Sequence, residues 1–404
     1  MNYVERTITK VIKDTSRHFK IVLLTGMRQI GKTTVLKHLA GNNRKYVTFD
    51  DPDTLLRART EPKLFFEENT PPFFLDEIQY APEIFPYLKI MADNSNKNGI
   101  IWLSGSQQYH LMKNITESLA GRAAVIDLLG LSIYEREGLG TQQKPYKPSK
   151  KTVPVLPRRT AKETFEIIWR GSFPQIVFDQ KISWARFYSS YLKTYLERDV
   201  RQLINIGNES KFVIFMKVIA SLTGQELNME KVSSKVGITV ITMQNWLSIL
   251  ETSGIIYMLK PYFNGNIMKR FVKKPKVYFM DTGLCCFLSG WNTPKTLQNG
   301  AMSGYIFETF VISEIIKSYH HNGLFQDFYF YRESSGTEID LLFFQNGKFI
   351  PIEIKETGNP KREDAGAFAK FAKIEPVDYG SVICLTKEPH LLTETANAVS
   401  IWDI

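Results

Sequence analysis

Residues Gly26-Met27-Arg28-Gln29-Ile30-Gly31-Lys32-Thr33 have the form G-x-x-x-x-G-K-T. They follow the apolar run Ile21-Val22-Leu23-Leu24 and precede a helix-compatible stretch from Thr33 to Ala40. Strand, glycine-bearing loop and helix in that order form a phosphate-binding loop. The glycines let backbone N–H groups turn toward an anion, Lys32 reaches the β- and γ-phosphates, and the Thr33 hydroxyl ligates Mg²⁺. Gly26, Gln29, Gly31, Lys32, Thr33 and Thr34 are therefore the expected nucleotide-binding residues. No base-reading motif separates ATP from GTP.

A second chemical group lies downstream, in Pro72-Phe73-Phe74-Leu75-Asp76-Glu77. A buried strand ending in two carboxylates delivers Asp76 to the Mg²⁺ shell and leaves Glu77 to orient or deprotonate a water. The plainer alternative is a strand that ends in a charged turn. The run Ile100-Ile101-Trp102-Leu103 leads into Ser104-Gly105-Ser106, which places Ser106 as a polar sensor of the γ-phosphate. Arg122 follows Leu119-Ala120-Gly121 and precedes the strand-like Ala123 to Leu128. It is either a catalytic cation for the transferring phosphoryl group, on its own or a neighbouring chain's nucleotide, or a surface arginine.

The third group is a set of carboxylates near the C-terminal end. Two strand-like runs, Glu338 to Phe344 and Phe349 to Lys355, flank Asn346-Gly347, a strong hairpin signal. With Asn346 and Gly347 as the loop, Asp340 faces Glu353 and Glu338 faces Lys355. Opposed carboxylates would lie with Cβ atoms ~5 Å apart and repel unless neutralised, for which a divalent ion would serve. Leu341 opposite Ile352 makes a consistent apolar face, while Pro351 cannot donate to the ladder and hints at an edge or a bulge that would shift the register by one. Upstream, a helix from Tyr305 to Tyr319 aligns Glu308 with Ile312, Ile315 and Tyr319, turning its carboxylate inward. The simpler alternative is a salt-bridged hairpin, Glu338 to Lys355, with its other acids in solvent.

Between these groups the pattern is helical. Asn228 is a suitable N-cap for a short helix through Val236, the turn Gly237-Ile238-Thr239 follows, and a second helix runs from Val240 to Glu251. The strand-like Gly254 to Leu259 then completes a winged helix-turn-helix pattern. Thr242, Gln244, Asn245 and Ser248 are its outward positions. No lysine or arginine lies between Thr239 and Glu251, which weakens a DNA-reading role because phosphate contacts supply most affinity. Lys260, Lys269, Arg270, Lys273, Lys274 and Lys276, on the expected wing, partly offset this.

The 404 residues are long for one core and suggest several modules. With 43% apolar and 23% charged residues the chain can bury sizeable cores. No apolar run reaches the ~18 residues of a membrane helix, so no membrane association is expected. The N-terminal residues show no secretory signal, and the expected location is cytoplasmic. Cys285, Cys286 and Cys384 match no metal or disulfide spacing and read as core residues. A formal charge of +10 favours a polyanionic partner, DNA above all. Lys144, Lys147, Lys150, Lys151, Arg158 and Arg159, interleaved with prolines, read as an exposed segment that is either a solvated linker or an anion-binding strap. Oligomeric state is open.

The strand spacing indicates an α/β fold with a parallel P-loop NTPase sheet and nucleotide at the carboxyl ends of its strands. On the loop through Thr34, Phe74-Leu75-Asp76-Glu77-Ile78-Gln79, Ser104-Gly105-Ser106, Leu119-Ala120-Gly121-Arg122, Gly171-Ser172-Phe173-Pro174 and Tyr191 to Val200, the chain resembles the AAA+ group of P-loop ATPases. More closely it resembles the prokaryotic ATPases that join such a domain to a C-terminal domain of uncharacterised function. The likeness spans all but about Thr141 to Thr160 and implies binding of ATP with Mg²⁺. No chemical role is evident for Gly171 to Pro174 or for Tyr191 to Val200, and packing between modules is expected of them. Asp340 with Glu353-Ile354-Lys355 resembles the D…E-x-K core of restriction-endonuclease-like nucleases. That likeness implies a Mg²⁺ or Mn²⁺ held by Glu308, Asp340 and Glu353 and a catalytic Lys355, in a domain that either cleaves or keeps the fold without turnover. The expected division is an ATPase domain over 1–138, a basic linker or insertion over 139–163, a helical connector over 164–210, a winged helix over 211–276 and a restriction-endonuclease-like α/β domain over 277–404.

Overall fold

In the computed structural model the described residues are 3–106, 118–151, 153–200, 209–263, 274–333 and 336–404. The three central N-terminal strands are apolar and buried, as strands covered on both faces must be, while the two edge strands are only partly so. The five strands are β1 (Ile21–Thr25), β2 (Lys45–Thr48), β3 (Phe73–Asp76), β4 (Ile101–Gly105) and β5 (Ala123–Asp127), paired in parallel in the order β2-β3-β4-β1-β5. The order puts β4 between the strand that carries the phosphate loop and the strand that carries Asp76. The parallel α/β sheet expected from the strand spacing is therefore present.

The remaining strands form one mixed sheet of nine. They are β6 (Gln225–Glu226), β7 (Ile256–Pro261), β8 (Lys276–Phe279), β9 (Phe328–Arg332), β10 (Glu338–Gln345), β11 (Lys348–Ile354), β12 (Gly380–Cys384), β13 (His390–Thr393) and β14 (Ala396–Ser400). Their order is β13-β14-β12-β11-β10-β9-β7-β8-β6. The boundary expected at residue 276 does not separate two sheets. β8 pairs antiparallel with β7, and β7 pairs in parallel with β9 through Lys260 opposite Tyr329 and Pro261 opposite Phe330.

The hairpin register is the one that the Asn346-Gly347 turn dictates, with Leu341 opposite Ile352 and Gln345 opposite Lys348. The edge or register shift that Pro351 hinted at does not occur, because β11 lies between β10 and β12. Pro351 faces Leu342, and the parallel ladder to β12 begins one residue later, at Ile352 opposite Ser381. The missing N–H thus falls just before that ladder starts.

The helical middle follows its caps. The helix Met229–Val236 starts at Asn228, whose side chain accepts from the Lys231 N–H, and ends at Gly237 with φ 72°. The helix Val240–Thr252 starts at Thr239, which accepts from the Thr242 N–H. Met243, Trp246, Leu247 and Leu250 are buried, while Gln244, Asn245 and Ser248 are exposed. Lys269, Arg270 and Lys273 lie outside the described residues. Lys276 is not a surface cation of this region: it is 4% exposed and points into a pocket.

The segment 139–163 is not a solvated linker. Tyr146 and Leu156 are buried, Tyr146 N–H donates to Ser318 Oγ at 3.0 Å, and Tyr319 OH donates to the Tyr146 carbonyl at 3.0 Å. Arg158 pairs with Asp403 at 2.6 Å and Arg159 with Glu137 at 2.8 Å. The prolines keep the chain extended while these contacts bind it across both blocks; its lysines remain exposed.

The long helix Ser303–His320 sits at the junction of the two blocks. Glu314 accepts from the Ile133 N–H at 2.8 Å, and Lys317 donates to the Leu131 carbonyl at 3.1 Å while pairing with Glu314 at 2.7 Å. Just beyond its end, His321 is fully buried 3.5 Å from Glu135, with neither ring nitrogen hydrogen-bonded. Burial, only partly opposed by Glu135, lowers the imidazole to about 4. Its folded value is therefore below the unfolded ~6.5, so its stabilising effect is complete above pH 6.5 and is lost as pH falls toward 4. Between pH 7 and pH 5 this group is expected to cost about 2 kcal/mol of stability. Urea unfolding of the parent and of His321→Leu at both pH values tests it: the variant should show a smaller pH difference by about that amount.

Candidate functional site

The phosphate loop needs backbone that only glycine supplies without strain. Gly26 has φ 140°, and a Cβ there would lie 2.2 Å from the Leu128 carbonyl oxygen; Gly31 has φ 96° at the start of the helix Lys32–Ala40. Lys32 is buried and donates to the carbonyls of Gly26 at 2.9 Å and Met27 at 2.8 Å, which keeps its ammonium within the loop. Gln29 is exposed, with φ 61°, and Thr34 is exposed one turn into the helix.

Across β4, Asp76 meets this loop. Its Oδ1 accepts from Thr33 Oγ1 at 3.0 Å and from Ser104, and its Oδ2 accepts from Tyr46 OH at 3.0 Å. Burial, then Asp76, pushes the Tyr46 phenol up to about 12, so it stays a donor. Glu77 leaves the strand with φ 57° and accepts from the Gln79 amide and from Ser106 Oγ, the latter at 3.3 Å. The structure thus brings together Lys32, Thr33, Asp76, Glu77 and Ser106 at the carboxyl ends of β1, β3 and β4. It adds Tyr46, Ser104 and Gln79. Ser104 and Gln79 stood inside the motifs themselves, whereas nothing near Tyr46 in sequence marked it.

Arg122 is not part of this constellation. It immediately precedes β5, and Ile21 at the start of β1 bonds to its carbonyl. The loop leaves the other end of β1, five residues away or roughly 16 Å at strand rise. The guanidinium instead pairs with Asp93 at 2.6 Å and 3.0 Å. A parallel sheet puts every strand's start at the end opposite the phosphates, which excludes Arg122 from the phosphates of its own chain.

Arg6 braces the loop from below. It donates to the carbonyls of Ile30 at 3.0 Å and Leu129 at 2.8 Å, and pairs with the buried Glu135 at 3.0 Å. Burial alone would raise the Glu135 carboxyl, but Arg6, His321 and backbone donors outweigh it and hold it at about 2. Beside Gly31, Thr34 and Val35 lies an apolar cleft of about 290 Å³, also lined by Tyr3, Val4, Pro174 and Phe178. Pro174 belongs to the Gly171-Ser172-Phe173-Pro174 motif. Its neighbour Ser172 donates to Asp281, and the Ser172 carbonyl accepts from the Leu131 N–H.

The C-terminal acids gather in a pocket of about 690 Å³ lined by Glu308, Glu338, Asp340, Glu353 and Lys355. Its centre is an ammonium. Lys276 Nζ lies 2.8 Å from Glu338, 3.2 Å from Glu308 and 3.8 Å from Asp340. Tyr278 OH donates to Glu308 at 2.5 Å, the Ile354 N–H donates to Asp340 at 2.8 Å, and Lys355 pairs with Glu353 at 2.6 Å. Glu338 therefore pairs with Lys276, not with Lys355. Burial, then Asp340, raises Glu308 to about 7, and the same two causes raise Glu353 well above the carboxylate range.

The metal set expected of Glu308, Asp340 and Glu353 is corrected by this arrangement. Among the described residues no three His, Cys, Asp or Glu side chains are grouped to hold a metal ion. Asp340 and Glu308 already spend oxygens on Ile354, Tyr278 and Lys276. Lys276 and Tyr278 escaped the sequence reading because they come from β8, outside the hairpin and the helix that supply the acids.

Loop, acids and strand order define a P-loop nucleotide-binding domain followed by further domains. Residues 18–137 match the AAA domain family, while residues 161–295 and 303–404 each match a domain of unknown function. Uncharacterized proteins of Mycobacterium tuberculosis and Mycobacterium bovis are each 27% identical to the chain over 343 residues, 84% of this chain and 71% of theirs. Among solved structures, a Walker-type ATPase of Pyrococcus abyssi is similar over 70% of this chain and 94% of its own, at 14% identity and a TM-score of 0.42. The RuvB Holliday junction branch migration motor of Thermotoga maritima is similar over 63% and 89%, at 14% identity and a TM-score of 0.30. Among the described residues no helix is long and apolar enough to cross a membrane.

The placement of Arg122 has a kinetic consequence. In dilute, monomeric protein Arg122→Ala is expected to turn over nucleotide within about twofold of the parent, since a group ~16 Å away leaves the barrier nearly unchanged. A large loss of turnover in the same monomeric sample would show that Arg122 does reach its own phosphates.

Proposed function

We propose that the chain is a Mg²⁺-dependent ATPase whose nucleotide site governs a DNA-contacting C-terminal half. The carrying observation is Asp76, hydrogen-bonded to Thr33 across the sheet with Glu77 beside it on Ser106 and Gln79. A hydroxyl and a carboxylate in contact are oxygen donors of the kind Mg²⁺ takes, so Thr33 and Asp76 would hold the ion, which neutralises phosphate charge when bound. Lys32 and the loop N–H groups bind the phosphates. Glu77 orients the attacking water and accepts its proton, while Ser106 and Gln79 fix the carboxylate that does so. The apolar cleft beside Gly31 suits the flat, weakly polar face of the base.

The helices Met229–Val236 and Val240–Thr252, followed by the antiparallel pair β7 and β8, support the winged-helix reading. Gln244, Asn245 and Ser248 are free to meet base edges. Because that helix carries no cation, phosphate contact falls to neighbours such as Lys260 and to the exposed lysines of the strap, so DNA affinity should fall steeply with salt.

A second reading concerns the C-terminal pocket: a nucleotide-switched binding module whose nuclease-like domain is catalytically silent. Two observations favour it. Lys276 already occupies the space between three of the acids, and the helix Ser303–His320 joins Glu308 to Glu314 and Lys317, roughly 9 and 14 Å further along it, and so to the contacts with Leu131 and Ile133.

Two assays separate these parts. Glu77→Gln should lower ATP turnover by about 100-fold or more while retaining ATP binding, and Lys32→Ala should lose both. Parent-like hydrolysis by both variants would remove the site assignment. Incubation with plasmid and single-stranded DNA in Mn²⁺ or Mg²⁺, with and without ATP, should give no cleavage. Cleavage that Asp340→Ala abolishes would replace the silent reading with a nuclease.

A further inference from the structure

We propose that Lys276 is the resident cation of the C-terminal pocket, holding its acids together without a divalent metal ion. The inference rests on the grouping of acids in the second reading above and adds the residue that determines what the pocket accepts.

Two separate elements deliver three carboxylates to one ammonium: the helix Ser303–His320 through Glu308, and β10 through its first residue, Glu338, and its third, Asp340. The ammonium arrives on a third element, β8, and its side chain is 5% exposed. A buried cation so placed is held, since burial, which disfavours its charge, is outweighed by the three acids. A divalent ion bound to the same acids would lie within ~4 Å of this charge and be repelled by it.

The hydrogen bonds agree. A metal needs two or more carboxylate oxygens turned to one point at ~2.0–2.6 Å. Here Asp340 gives one oxygen to the Ile354 N–H and turns the other toward Lys276. Glu308 receives both Tyr278 and Lys276 on one oxygen. Glu353 gives Oε1 to Lys355, and its Oε2, in a residue 6% exposed, is buried without a partner at the wall of the pocket. That buried Glu353 oxygen is a place for a ligand's donor group, not a metal shell.

The test uses the full chain without nucleotide and reads free Mn²⁺ by electron paramagnetic resonance. Parent and Asp340→Asn should bind Mn²⁺ equally weakly, whereas Lys276→Met should gain a site at least about tenfold tighter that Lys276→Met/Asp340→Asn loses. A parent site that Asp340→Asn or Glu353→Gln removes would overturn the proposal, as would a folded Lys276→Met that gains nothing. Should Lys276→Met fail to fold, the comparison of parent with Asp340→Asn, and of Lys276→Arg with both, still decides. Arginine keeps the cation and should leave Mn²⁺ binding as weak as in the parent. The titration needs no turnover, so it can fail while the ATPase assignment stands.

Discussion

One buried ion pair, Arg6 with Glu135, joins most of what matters in this molecule. Arg6 reaches one carbonyl within the nucleotide loop, at Ile30, and one just beyond β5, at Leu129. Glu135 takes the N–H groups of Thr7 and Ser132 as well as the guanidinium. Removing either partner of such a pair costs about 3–5 kcal/mol, because the other is left charged and desolvated. The pair therefore fixes the loop, the turn that follows β5 and the N-terminal segment in one geometry. Its neighbours His321, Lys317 and Glu314 carry that geometry into the helix beneath.

The two polar sites spend charge in opposite ways. At the phosphate loop the cation, Lys32, rests on neutral carbonyls, and the acids Asp76 and Glu77 are held by hydroxyls and an amide. Cation and backbone donors there face the space where a polyanion and its counter-ion would sit. In the C-terminal pocket acids and lysines already answer one another. The first arrangement is ready to take up charge; the second is closer to self-sufficient.

Local chemistry was legible in the sequence where neighbours in the chain are neighbours in space. The phosphate loop, the Asp76-Glu77 turn, the caps Asn228 and Thr239 and the Asn346-Gly347 register all depend on a few consecutive residues. The same limit explains the failures. Arg122 looked catalytic because it precedes a strand, yet only the parallel pairing of β1 with β5 shows which end of the sheet that is. Lys276 was counted with the wing because it is basic and close to Lys274, while its burial is set by Glu308, Glu338 and Asp340, all 30 or more residues on. The strap over 139–163 has the composition of a linker, and its order comes from Ser318, Asp378, Asn397 and Asp403, which no local pattern announces.

The nine-stranded sheet bears on how far its two halves are independent. β7 lends its edge to β9, and β8 sends Lys276 among acids that belong to the strands and helix beyond it. Parting the halves at residue 276 would strand an open edge at β7 and β9 and leave Glu308, Glu338 and Asp340 without their lysine. A substitution that reshapes one half is therefore felt in the other, even though their sequence patterns resemble separate folds.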